Sequence, residues 1–245
     1  MRVLSIDTSG RWNAIGLIDG NQALGDLVWE ARDNSLRDVI LNIDLVLGSA
    51  GLTLADVDGL AVGIGPGSWT GVRVGITVGK ILAYATDKPL CGISSLDALA
   101  YQGRNVPTLI CPVVDAGRGN VYAAFYRSGG EAIARQGEYY AGDIEGLLKT
   151  VREPVLFLGD AVELHRHAIS EGLGSLANYS SAGDDQKGGA IALLASSRFE
   201  RGESDDALSL APLYLKEPLA QALLAQERKG QKGIEIADSG WRAKC

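Results

Sequence analysis

The residues with the most chemical potential lie in Gly63-Ile-Gly-Pro-Gly-Ser-Trp-Thr-Gly-Val-Arg73, where four glycines, a proline and two hydroxyls separate an apolar run from a helical pattern. A loop at a helix N-terminus gathers free backbone N–H groups and the positive end of the helix dipole, and glycines let an anion approach them closely. Gly65, Gly67, Ser68, Thr70 and Gly71 could therefore cradle a phosphate, with Arg73 adding a charged fork. The plainer reading is a tight connection in which Gly and Pro satisfy turn geometry and Ser68 or Thr70 caps the helix. Two aspartates add to the inventory. Asp7, followed by Thr8 and Ser9, closes the first apolar run, and Asp115 closes a later one. A strand-end carboxylate can organise magnesium and phosphate, or it can tie a turn through its own backbone. Gly159-Asp160 likewise reads either as a nucleotide contact or as a capped helix start.

The elements that must position these residues follow from periodicity. Strands are expected at Arg2 to Ile6, Ala14 to Ile18 and Leu24 to Glu30. Leu36, Val39, Ile40, Ile43, Val46, Leu47 and Ala50 then recur at the spacings of one helix face, predicting a helix over 36–50. Leu60 to Ile64 reads as a buried strand feeding the glycine loop. Val72, Ile76, Val78, Ile81 and Leu82 predict a proline-free helix over 71–86. A strand at Leu90 to Ile93 and a helix from Ser94 or Ser95 to Tyr101 precede the polar stretch Gln102-Gly-Arg-Asn-Val-Pro107, which reads as a boundary.

Beyond it the order restarts. Strands are expected at Thr108 to Val114, Val121 to Tyr126 and Glu131 to Glu138, then a helix at Ile144 to Val151, a strand at Val155 to Leu158 and a helix at Ala161 to Glu171. Ile6-Asp7-Thr-Ser-Gly10-Arg11-Trp-Asn13 has a shorter echo in Val114-Asp115-Ala-Gly117-Arg118-Gly-Asn120. Two such halves predict the α/β fold of actin, sugar kinases and Hsp70 (ASKHA), with an N-terminal half over 1–103 and a C-terminal half over 104–218. Residues 219–245 are expected to form a helical extension from Leu219 to Gln226 and a flexible mixed-charge tail from Glu227.

Composition narrows the function classes. The 245 residues are 46% hydrophobic, enough for a substantial core. A net charge of −7 argues against a broad nucleic-acid surface, since phosphate neutralisation needs clustered Lys and Arg. Cys91, Cys111 and Cys245 are distant from one another and form no CxxC, so neither a disulfide framework nor a zinc site is expected. The expected location is cytoplasmic, without export signal or membrane anchor.

Five segments together resemble the TsaB (YeaZ) family. They are Ile6-Asp7-Thr8-Ser9, the glycine loop through Arg73, Gly92-x-Ser-Ser-Leu-x-Ala-Leu-Ala100, Asp115-Ala-x-Arg118-Gly-x-Val-Tyr122 and Pro212-x-Tyr-Leu-Lys216, spread over residues 1–218. The resemblance implies a non-catalytic partner of TsaD, the related enzyme that transfers a threonylcarbamoyl group to an adenosine beside the tRNA anticodon. It also implies homodimers when alone, a TsaE-like ATPase in the larger complex, contact with tRNA only through that complex, and no required cofactor beyond weak ATP or ADP binding. The family commonly shows His-Ser where this chain has Asn34-Ser35, which leaves helix capping intact but removes the histidine.

The residues themselves bear on that implication. TsaD-like enzymes hold a metal with a His-x-x-x-His helix, whereas His165 and His167 stand two apart and so on different helix faces. An ATP-dependent small-molecule kinase, with Asp7 and Asp115 on magnesium, is the alternative of the same fold. A peptidase lacks recognisable machinery. For the partner reading, Gly71, Gly75, Gly79 and Ala83 stand four apart, a small-residue stripe that would let another backbone come close. Leu41, Leu45, Val72, Arg73, Gly75, Ile76, Gly79, Lys80 and Ala83 are accordingly the expected partner interface. The competing possibility is that the stripe packs against the chain's own sheet.

Overall fold

The computed structural model describes residues 1–31, 36–130, 132–180 and 187–215. Two five-stranded mixed sheets repeat one plan. The first has the order β3-β2-β1-β4-β5, built from β1 (Arg2–Asp7), β2 (Trp12–Asp19), β3 (Gln22–Glu30), β4 (Gly59–Gly63) and β5 (Leu90–Ile93). The second is β8-β7-β6-β9-β10, from β6 (Leu109–Gly117), β7 (Asn120–Ser128), β8 (Ile133–Asp143), β9 (Val155–Leu158) and β10 (Ala177–Tyr179). In each, three antiparallel strands lead into parallel pairs, β1 with β4 and β6 with β9.

Alternation along the strands sorts side chains to two faces. Leu4, Ile6, Ile15 and Leu17 pack beneath α1 (Leu36–Ser49) and α2 (Trp69–Thr86), while Val3 and Ile18 face α6 (Lys187–Glu200) on the other side. In the second sheet, Cys111, Val113 and Phe157 pack with α4 (Ile144–Leu148) and α5 (Ala161–Leu173). Ile110, Val114 and Tyr126 instead receive Leu96 and Leu99 of α3 (Ser95–Gln102). Ala98 of the same helix joins the α6 cluster, so α3 is shared between the halves.

Two elements depart from expectation. Residues 187–200 were not foreseen as α6, and this helix lies across β1 and β2 rather than on the second sheet. Its first turn is in backbone contact with β2: an added Cβ on Gly16 would lie 2.3 Å from the carbonyl carbon of Gly188. The following segment then returns to the first half, with Asp205 N–H donating to the Leu90 carbonyl at 2.8 Å and Leu213 N–H to that of Ile64 at 2.8 Å. The expected C-terminal half over 104–218 is thus corrected: residues 187–215 pack with the first sheet. β10, the second unforeseen element, is three residues long. The expected helical extension and tail at 219–245, and Asn34-Ser35, lie outside the described residues.

Candidate functional site

The strand-end loops of the first half converge where β1, β4 and β5 deliver the chain to the N-termini of α2 and α3. Asp7, Thr8 and Ser9 meet there and are at most 2% exposed. The Asp7 carboxylate accepts the Ser9 N–H at 2.6 Å and the Ser95 hydroxyl at 3.3 Å. Ser9 and Ser95 hydroxyls lie 2.8 Å apart, and Thr8 Oγ1 donates to the Gly71 carbonyl at 2.6 Å. The Ser9 contact is that of a turn tied through the chain's own backbone.

The glycine loop closes over this cluster. Ser68 N–H donates to the Ser9 carbonyl at 2.6 Å, and an added Cβ on Gly67 would sit 2.2 Å from that same oxygen. Glycine is required here because the Ser9 carbonyl occupies the space a side chain would need. Gly65, at φ +89°, passes its carbonyl to Ser95 N–H at 2.8 Å. The helix starts at Trp69, and Ser68 is its cap: Ser68 Oγ accepts from Gly71 N–H at 3.3 Å, while Thr70 is exposed in the first turn. Arg73 does not reach back to the loop. Its guanidinium lies 4.0 Å from the centroid of the Trp69 ring, Trp69 stacks on Tyr214 at 4.1 Å, and Arg73 Nε donates to Tyr214 Oη at 3.0 Å.

The second half repeats the pattern more openly. Asp115 is exposed, accepts Gly117 N–H at 2.8 Å in an Asx turn, and gives its own N–H to Asp160 at 3.0 Å. Gly159, at φ +110°, is pressed against β6, with an added Cβ 2.3 Å from the Val113 carbonyl oxygen. His167 is solvated on α5 beside Glu171.

The expected partner interface needs a larger correction. Val72, Gly75, Ile76, Gly79 and Ala83 are buried inside the chain. Their spacing puts them on the face of α2 that meets β4 and β1. An added Cβ would stand 2.6 Å from Thr8 Oγ1 at Gly75 and 2.2 Å from Val62 Cγ1 at Gly79, so the close backbone approach is internal. Lys80 donates to the carbonyls of Leu208 and Leu210 at 2.9 and 3.1 Å, fastening the returning segment. Leu41 and Leu45, at 53% and 59% exposed, remain on the surface, as does Arg73. Sequence reasoning missed their companions. Leu36 and Ile40, expected in the core, are exposed on α1, and Ile81 (55%) and Tyr84 (80%) continue the outer stripe of α2 begun by Arg73 and Thr77. That stripe was readable as the complement of the glycine face, at the same i, i+4 spacing. So many large apolar side chains on two neighbouring helices exceed the scattered exposure that needs no explanation.

A family model described as tRNA N6-adenosine threonylcarbamoyltransferase (TsaD) matches residues 30–223. The tRNA threonylcarbamoyladenosine biosynthesis protein TsaB of Bacillus subtilis is 30% identical over 94% of this chain and 100% of its own length. Among solved structures, YeaZ from Pseudomonas aeruginosa superposes with a TM-score of 0.71 over 87% of this chain and 100% of that one, at 23% identity. A ROK hexokinase from Thermus thermophilus shares the fold at a TM-score of 0.52, covering 82% of this chain and 100% of the hexokinase at 13% identity. With the duplicated sheet order, these place the architecture in the ASKHA class.

Proposed function

The chain belongs to the TsaB family of tRNA threonylcarbamoyladenosine biosynthesis proteins, and from that membership we propose that it serves this tRNA modification as the non-catalytic partner of a TsaD-like threonylcarbamoyltransferase. The observation that carries the reading is the division of labour within α2. Its inner face and the loop before it are consumed by internal packing and hydrogen bonds, while its outer face and that of α1 offer apolar side chains to solvent. Asp7 in particular has both carboxylate oxygens engaged within the chain and no exposed surface, a poor start for holding magnesium and a nucleotide.

In this reading Leu41, Leu45, Ile81 and Tyr84 supply the apolar centre of the contact, and Arg73 lies toward its edge. The same face would serve a homodimer when the enzyme is absent, and a TsaE-like ATPase would join the larger complex. No cofactor is required of this chain. The kinase alternative draws no support from the first-half geometry, because the Asp7 carboxylate it would place on magnesium is buried and bonded to Ser9 and Ser95.

The test is association with the TsaD-like protein of the same organism by analytical ultracentrifugation. A stoichiometric complex with the wild-type chain, abolished by Leu45→Asp with Tyr84→Asp at unchanged thermal stability, is the expected result. Robust ATP turnover by the pure chain and no complex would sink the reading.

A further inference from the structure

Helix α2 carries two charged side chains, Arg73 and Lys80, and the chain uses them differently. Lys80 is spent internally, since its ammonium donates to the carbonyls of Leu208 and Leu210. Arg73 is exposed and gives only Nε to the chain, in the 3.0 Å bond to Tyr214 Oη. Among the described residues it forms no ion pair, and Nη1 and Nη2 donate to no acceptor. Its guanidinium is nevertheless ordered, 4.0 Å from the centroid of the Trp69 ring.

The backbone builds this seat. Ser68, tied by its N–H to the Ser9 carbonyl, caps α2 and makes Trp69 its first residue, one turn before Arg73. Leu213 N–H pairs with the Ile64 carbonyl at 2.8 Å, which delivers Tyr214 to Arg73 from 141 positions away. Tyr214 then stacks on Trp69 with ring centroids 4.1 Å apart and planes at 24°, and the two rings keep 42% and 36% of their surface exposed. An aromatic face and a phenol oxygen order a guanidinium without cancelling its charge, so little conformational freedom is left to lose on contact with an anion. The fork that remains, Nη1 with Nη2, matches the two oxygens of a carboxylate.

Position selects the partner. Arg73 begins the stripe that continues through Thr77 to Ile81 and Tyr84, so this cation stands at the end of exposed apolar surface. Trp, Tyr and Arg side by side on such a surface have the composition of a protein-binding hot spot. A phosphate backbone is instead met by clustered cations, and Lys80, the other cation of this helix, is already engaged.

We infer that Arg73, seated on Trp69 and Tyr214, receives a carboxylate of the TsaD-like enzyme. The inference rests on the functional reading above and adds to it the chemistry of one contact, an aspartate or glutamate side chain on the enzyme surface that covers the α1 and α2 stripe. Trp69 and Tyr214, covered in the same step, keep water from the pair and so strengthen it.

The experiment measures the dissociation constant between the chain and the enzyme over a range of salt. Arg73→Gln should weaken the complex at least about tenfold and flatten its salt dependence. Arg73→Lys, which keeps the charge without the planar fork, should recover only part of that loss. Tyr214→Phe keeps the ring on Trp69 but removes the bond to Nε. It should weaken the wild-type complex and add nothing to Arg73→Gln, a non-additivity that general loosening of the fold would not produce. The same variant carries the test should Arg73→Gln fail to fold. Unchanged affinity in Arg73→Gln, while Leu45→Asp dissociates the complex, would overturn this contact alone. Weakening with an unaltered salt slope would assign Arg73 to packing and overturn the carboxylate. A loss confined to tRNA binding by the intact complex would assign a phosphate and also overturn it. Failure of the wild-type chain to bind the enzyme would overturn the functional reading itself.

Discussion

Thr8 Oγ1 donates a 2.6 Å hydrogen bond to the Gly71 carbonyl, and the same oxygen occupies the space where a side chain on Gly75 would begin. The end of β1 and the first turns of α2 are therefore one packed unit, and a loop with the composition of a phosphate cradle is held shut by its neighbours.

That contact gives a coupled stability prediction. Gly75→Ala places a methyl 2.6 Å from the Thr8 hydroxyl and should destabilise the fold by about 1–3 kcal/mol. Thr8→Ala alone should cost about 1–2 kcal/mol through the lost buried hydrogen bond. The double variant should cost less than the sum, because removing the hydroxyl makes room for the methyl. Denaturant titration of the four proteins checks the cycle. Leucine at Gly75 or Gly79 would report on folding rather than on association.

Nucleotide binding should be weak. Titrating the chain with magnesium and ATP in a calorimeter should give no saturable heat below about 1 mM, the regime of −4 kcal/mol or less. Micromolar binding abolished by Asp7→Asn would instead mean that the first-half loops open in solution.

The joint between the halves predicts a pH dependence. Asp97, on α3, accepts Tyr126 Oη at 2.6 Å and Tyr139 Oη at 3.5 Å, and burial raises its pKa above the ordinary 3.8, with the Tyr126 hydrogen bond opposing. A carboxyl that titrates higher in the folded state binds protons more tightly there. Its contribution is complete below about pH 4 and is lost as pH rises through the elevated value. Asp97→Asn keeps an acceptor for Tyr126 without the charge, so its melting temperature relative to wild type should climb from pH 4 toward pH 7. A flat difference would contradict the assignment.

Asp205 titrates in the opposite sense. Desolvation alone would raise its pKa, but hydrogen bonds from Arg198 and from the Gly92 N–H, with the Arg198 charge, bring it below 3.8. Its stabilisation is present above about pH 4 and disappears as the pH falls further. Asp205→Asn should therefore cost about 1 kcal/mol at neutral pH, screened by its partial exposure, and progressively less as the pH falls below 4. Hydrogen exchange at Gly92 and Asp205 should quicken together in that variant.

The elements around the site were legible because α1 and α2 are long and strongly periodic, and the duplication because Asp7 and Asp115 share a local context. What α2 does with its faces was not. Apolar and small residues occupy most of its circumference, so the pattern alone could not say whether Gly75 and Gly79 faced a partner or Thr8 and Val62. Helix α6 was missed because Lys187-Gly-Gly gives no start signal and its buried residues are small or polar apart from Ile191. The closure of Asp7 depends on Ser95, brought in by α3 from 88 positions away.

The central claim is that the outer faces of α1 and α2 hold a TsaD-like enzyme. The most direct measurement is the dissociation constant between the two purified proteins for wild type, Leu45→Asp and Tyr84→Asp. The account predicts a stable complex weakened at least a hundredfold by either substitution, with melting temperatures of the free variants within about 2 °C of wild type. Undiminished affinity in both variants would contradict it.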